Sequence, residues 1–168
     1  MDGHLIMRLI ISLMFFISLY ANAYDEFSPT GIPDSEIRCL AMNIYHEARD
    51  QSKAGQLAVA FVTHNRKVNT KRFRRQNTYC KVVHQGYVPG RRDCHFSWYC
   101  DGKSDTPYET KKWKEIRDFA VWFAYNSDYV VDPTYGSTHY HNLTVEPWWT
   151  DDMVLNGIIG DHLFWDEK

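Results

Sequence analysis

Apolar positions recur at helical spacing in three stretches of the chain. Ile37, Leu40, Ala41, Ile44 and Ala48 form the first stripe, and Asp34-Ser35 supplies a cap ahead of it. An amphipathic helix is therefore expected over residues 36–48. Ala54, Leu57, Ala58, Phe61 and Val62 mark a second helix over 53–66, whose alanines allow close packing on the first. Trp113, Ile116, Phe119, Ala120, Phe123 and Ala124 mark a third over 109–126, with Trp113, Phe119 and Phe123 assigned to the core. A shorter helix fits 78–85.

Residues 86–107 are rich in Gly, Pro, Asp and Ser and read as a long loop. Such loops, when ordered in a compact domain, are usually functional. Beyond the third helix the pattern changes. Thr138–Val145 and Leu163–Trp165 read as short strands, separated by a Pro147-Trp148-Trp149 turn. The sum is a helix-dominated α+β domain with a small C-terminal β element.

The first residues follow a different logic. Arg8 is a positive flank, Leu9 to Leu19 are apolar apart from two serines, and Ala21-Asn22-Ala23 is a small-x-small cleavage pattern. Residues 1–23 read as a signal peptide, 24–35 as a linker and 36–168 as the folded domain. The apolar run is short for a membrane span, so membrane contact is expected only if this segment stays uncleaved. Export suits the four cysteines, Cys39, Cys80, Cys94 and Cys100, which in an oxidising compartment favour disulfides over a metal site lacking any C-x-x-C pair. Three pairings are open. A local Cys94–Cys100 bridge enclosing five residues would leave Cys39 to tie the first helix to Cys80.

Charge narrows the partners. A net charge of −2 argues against nucleic acid, and the short basic run Lys71, Arg72, Arg74, Arg75 reads as a solvated loop face. The chain carries 11 Tyr, 9 Phe and 6 Trp, more rings than its core requires, so some are expected to line a cleft.

One carboxylate stands out on the first helix. Glu47 lies at the edge of the apolar stripe and in the last turn. Partial burial and the free carbonyls of a helix end both disfavour an ionised carboxylate. A raised pKa is expected, which suits donation of a proton to a sugar leaving group. Taken alone, the position is more often that of an ordinary solvent-exposed helix-end glutamate.

Six blocks in order add to this reading. They are Cys39-Leu-Ala-Met-Asn-Ile-Tyr-His-Glu-Ala-Arg49, Gly55-Gln-Leu-Ala-Val-Ala60 with Asn65-Arg66, and Cys80-Lys-Val-Val-His-Gln85. Cys94-His-Phe-Ser-Trp-Tyr-Cys-Asp-Gly102, Thr138-His-Tyr-His-Asn142 with Pro147 and Trp148, and Gly160-Asp-His-Leu-Phe164 complete the set. Together they resemble the SleB-type cell-wall hydrolase family, which includes spore-cortex-lytic enzymes. The likeness spans about residues 36–165.

The resemblance implies a lysozyme-like fold and cleavage of the β-1,4 bond between N-acetylmuramic acid and N-acetylglucosamine. Several members resemble lytic transglycosylases, and the family's catalytic glutamate falls on Glu47. His46 and Asp50 depart from the residues common at those positions and flank the acid without replacing it. Asp50, Asp101, Asp105 and Glu146 are candidate second carboxylates, but none sits in a recognisable partner motif. A single-glutamate mechanism is thus preferred.

Other residues are expected to bind substrate. His139 and His141 alternate, so on a strand both face one side, with Tyr140 opposite. Ser97 and Trp98 lie within the small cysteine ring, where Trp98 either stacks on a sugar or plugs the core. Of Trp148 and Trp149, one is expected to be exposed; Trp148 is assigned to the substrate. Gln56 and Asn65 share a face of the second helix and suit either acetamido groups of the substrate or polar contacts between helices. No cofactor is expected, and the partner is the peptidoglycan glycan strand, met by a monomer. Two rival readings remain: a zinc peptidase or amidase built on His139, His141 and a third ligand such as His162, Asp161 or Glu146, and a non-catalytic wall-binding protein.

Overall fold

In the computed structural model of the protein, residues 31–69, 71–88 and 94–168 are described. The signal-peptide reading, and most of the linker, fall outside them. Helix α1 spans Asp34–Ala48, α2 Lys53–Val68, α3 Tyr79–Val83 and α4 Thr110–Asn126. Strands β1 His139–Asn142, β2 Met153–Ile159 and β3 His162–Glu167 follow. Two single 3₁₀ turns, Ser97–Cys100 and Trp148–Asp152, interrupt the connections. The helix-rich α+β reading holds.

The first stripe is buried throughout, from Ile37 to Ala48. The helix also buries Tyr45, which lies off that stripe. The reason is a second neighbour: the Tyr45 hydroxyl accepts from the backbone N–H groups of Tyr108 and Glu109 at 3.3 and 3.2 Å, at the start of α4. These are donors a helix terminus leaves without partners. On α2, burial extends nearly all round, over Ala58 to Thr63 and Arg66. Ala54 is exposed, and in the first turn of α2 Gly55 and Gln56 are buried instead. Ser52 caps this helix, accepting from the Gly55 N–H at 3.3 Å. On α4, Ile116, Ala120 and Phe123 are buried, whereas Trp113 and Phe119 are half-buried at its margin rather than in the core.

The three strands form an antiparallel sheet in the order β1-β3-β2. The strand expected over 138–145 pairs only from His139 to Asn142, after which the chain turns. Strand β2 was not legible in the sequence, since Asn156-Gly157 in its middle reads as a turn. Here the pairing shifts between Leu155 and Gly157, a β-bulge. The Asn156 side chain leaves the ladder and donates to Ser137 Oγ at 3.0 Å. One sheet face packs on α2 through Ala58, Val62 and Phe164, joined by Tyr140 and Ile159.

The β2–β3 hairpin is clamped to the α1–α2 turn. Gln51 Nε2 donates to Asp161 Oδ2 at 2.9 Å, and the Asp161 N–H donates to Gln51 Oε1 at 3.1 Å. Gly160, at φ +59°, permits this, since a Cβ there would collide with Gln51 Oε1. Disulfides join Cys39 to Cys80 and Cys94 to Cys100. The first ties α1 to α3.

Candidate active site

A cleft of about 250 Å³ opens where the end of α1 meets the sheet. Each wall comes from a different element. Helix α1 contributes Glu47, and the last turn of α2 contributes Arg66. His95, Phe96 and Ser97 come from the loop entering the first 3₁₀ turn. Tyr140, His141 and Asn142 come from β1, Val145 from the turn after it and His162 from β3. Register explains the sheet side: Tyr140 pairs with Phe164 and Asn142 with His162, so all four share the face turned toward the helices.

Glu47 is half-buried, with its carboxyl at the desolvated end. Burial raises its pKa from 4.5 to about 7, against the lowering effects of the Tyr140 hydroxyl and the Arg66 charge. The direction matches the expectation from the helix stripe. Its cause is desolvation, with no helix-end field required. The fully desolvated Tyr140 hydroxyl lies beside both Glu47 and Asn43, and its own pKa is pushed well above 10 by burial and then by the Glu47 charge. It makes no hydrogen bond of regular geometry to either.

Arg66 was quoted in the sequence only as part of a motif, yet it borders the acid. It lies four residues after Val62, so a charged residue on the apolar stripe was the available signal. Its Nε donates to the Thr138 carbonyl at 2.6 Å, fixing the start of β1 to α2. Its guanidinium carbon lies 5.0 Å from the Phe96 ring centre and 5.7 Å from that of Phe73. Burial lowers its pKa to about 10, so it stays charged at neutral pH. His95, Asn142, Val145 and His162 also line the cleft without having been assigned to substrate.

Residues 50–165 match the family described as cell wall hydrolase. The chain belongs to that family. In structure the cell wall hydrolase is similar to the catalytic domain of the Bacillus cereus SleB protein, with a TM-score of 0.56 and 26% identity. That likeness covers 82% of this chain and 94% of the other. No curated protein sequence matches it. The family match begins at residue 50, beyond Glu47, so the role of Glu47 rests on geometry.

Within this cell wall hydrolase, Glu47, Ser97, Tyr140 and His141 line the cleft, and the remaining residues assigned to substrate do not. Gln56 is turned inward: its Nε2 donates to the Ala48 carbonyl at 3.3 Å, closing the end of α1, and Lys53 Nζ donates to its Oε1 at 3.1 Å. Asn65 Nδ2 donates to Asp132 Oδ2 at 2.9 Å and the Ser137 carbonyl at 3.0 Å, which pins the loop before β1. Trp98 lies outside the cleft lining, stacked on His46 with centroids 4.4 Å apart. Trp148 is 84% exposed on its 3₁₀ turn and is not in the cleft lining. Trp149 is the sheltered one of the pair, against His139 and His141.

His139 and His141 share a strand face, the one opposite Tyr140, as their alternation predicts. His139 packs toward Phe73 and Trp149, outside the cleft lining. Burial, then the charges of Arg66 and Arg72, depress its pKa to about 3. His141 stacks on Trp165, 5.7 Å between centroids. His162 belongs to the other face, beside Tyr140. Among the described residues, no three His, Cys, Asp or Glu side chains converge as a metal site. The zinc reading therefore lacks its third ligand.

Proposed function

We propose that this cell wall hydrolase cleaves the β-1,4 bond between N-acetylmuramic acid and N-acetylglucosamine in peptidoglycan, as a lytic transglycosylase. Glu47 is its single acid and base. One observation carries the reading: among the described residues lining the cleft, Glu47 is the only carboxylate. Glycosidases that use water need a second carboxylate, about 5–5.5 Å away for a nucleophile or 6.5–9.5 Å away for a base. Asp50, Asp101, Asp105 and Glu146 are not in the lining.

A pKa of about 7 keeps much of Glu47 protonated at neutral pH. The acid gives its proton to the glycosidic oxygen as the bond to the muramyl anomeric carbon breaks. The substrate's acetamido oxygen stabilises the positive charge on the sugar. The Glu47 carboxylate then takes the proton of the muramyl 6-hydroxyl, and that oxygen bonds to the anomeric carbon. A 1,6-anhydro ring forms, no water is consumed, and Glu47 ends protonated again. Its neutral and ionised forms are both used within one turnover.

The substrate places the enzyme at the cell wall, and export through residues 1–23 is part of this proposal. Residues Ser35–Lys168 form one compact unit, which supports a catalytic domain starting near residue 36. Mass spectrometry of peptidoglycan digested by the purified enzyme tests the reaction. Anhydro-muramyl ends are expected. Reducing muramic acid ends would mean hydrolysis by water, and reducing glucosamine ends a different bond.

A further inference from the structure

Arg66 is only 4% exposed, and among the described residues its Nη1 is a buried donor that meets no hydrogen-bond partner. Its Nε is satisfied by the Thr138 carbonyl, and aromatic rings of Phe73 and Phe96 flank the guanidinium. A buried cation with a spare N–H is costly unless something completes it. Among the described residues lining the cleft, the one carboxylate belongs to Glu47. We propose that Arg66 is a positioning residue whose spare N–H is reserved for Glu47 once that acid has given up its proton. The inference rests on the acid–base reading of Glu47.

The chemistry explains why such a residue is needed. Desolvation makes Glu47 a good acid, but the same desolvation would make the carboxylate left behind take back its proton. An adjacent fixed cation stabilises that carboxylate for the interval before it deprotonates the 6-hydroxyl. The pair is loose while Glu47 is protonated and closes when it ionises. Anchorage matters too: the bond to Thr138 holds the guanidinium on α2 and β1 at once, so it cannot follow the substrate out.

Other groups also line the cleft around Glu47. Tyr140 from β1 stays a neutral phenol at working pH. His95 from the loop and His162 from β3 have pKa values lowered by burial, so neither is a strong cation near neutrality. His141 from β1 turns its Nδ1 to the Asn142 carbonyl at 2.9 Å. Arg66, from α2, is the one arginine or lysine on the lining among the described residues.

The test has two parts. In the folded wild type, the Arg66 guanidinium nitrogen resonances should shift with a midpoint near pH 7, tracking the ionisation of Glu47. In Glu47→Gln they should stay flat. Arg66 resonances that do not respond in the wild type, or that respond equally in Glu47→Gln, overturn the proposal. These measurements need no Arg66 variant to fold.

Kinetics give the second part. In Arg66→Gln the alkaline limb of the kcat profile should move up by about one pH unit, since an adjacent cation lowers a carboxylate pKa by that order. At neutral pH kcat should fall at least tenfold, with KM changed little, while Arg66→Lys should retain the wild-type limb. A raised KM with an unmoved limb would instead make Arg66 a substrate contact and defeat the proposal. Should Glu47→Gln remain fully active while Arg66 still tracks Glu47, the acid–base reading fails and the pairing stands.

Discussion

The indole Nε1 of Trp98 donates a 3.0 Å hydrogen bond to Oδ1 of Asn43, one helical turn before Glu47. Asn43 is fully buried and its Nδ2 donates to Thr63 Oγ1 at 3.0 Å, which fixes the amide's orientation. Trp98 thereby locks the disulfide-bounded loop onto α1, and α1 onto α2, at the level of the acid. Its energy is spent on the scaffold. Trp98→Phe would keep the stack on His46 but strand the Asn43 oxygen in the interior. A loss of about 1–2 kcal/mol is expected in urea denaturation, with KM for glycan strands unchanged. A large KM increase without loss of stability would make Trp98 a sugar platform after all.

Gln56 makes a parallel case. Its buried amide holds the carbonyl end of α1 through Ala48, and the same amide reaches toward Arg49 and Gln51. Gln56→Ala should cost about 1–3 kcal/mol and lower kcat by loosening the helix end that carries Glu47. A rise in KM alone would show that the side chain meets substrate.

The two disulfides should differ in weight. Cys39 and Cys80 are 41 residues apart, Cys94 and Cys100 only 6. Chain entropy assigns about 4 kcal/mol to the first bridge and about 2 kcal/mol to the second. Denaturant midpoints of the Cys39→Ala/Cys80→Ala and Cys94→Ala/Cys100→Ala proteins check the order. The account of α1–α3 tethering fails if the small ring proves the costlier to remove.

Glu47 should also leave a mark on stability. The folded protein holds this proton up to about pH 7, whereas the unfolded chain releases it near 4.5. Between those values the native state binds more protons, so stability falls as pH rises. The loss is on the order of 3 kcal/mol once pH exceeds the native value. Glu47→Gln carries no such proton. Its stability relative to wild type should therefore climb across this window and level off above it. A flat difference from pH 4.5 to 7 would deny the raised pKa.

What the sequence revealed follows from what local patterns encode. The three long helices were legible because stripes such as Ile37, Leu40, Ile44 repeat at helical spacing. Strand β2 was hidden by Asn156-Gly157, whose role as a bulge depends on Ser137, far away in sequence. Glu47 could be found, since a carboxylate at a stripe edge near a helix end is a local feature. The roles of Gln56 and Asn65 stayed open in the sequence because a polar side chain on a helix does not announce whether a loop or a ligand will meet it. Arg66 was overlooked for the converse reason. A basic residue in a last helical turn looks like a complement to the helix dipole, and only the docking of Thr138 buries it.

The most direct measurement follows the Glu47 carboxyl by carbon NMR across pH, beside the pH dependence of kcat/KM. A carboxyl resonance titrating near pH 7, absent from Glu47→Gln, should coincide with the alkaline decline in kcat/KM. A Glu47 carboxyl that titrates near 4.5, with activity undiminished above neutrality, would contradict the account.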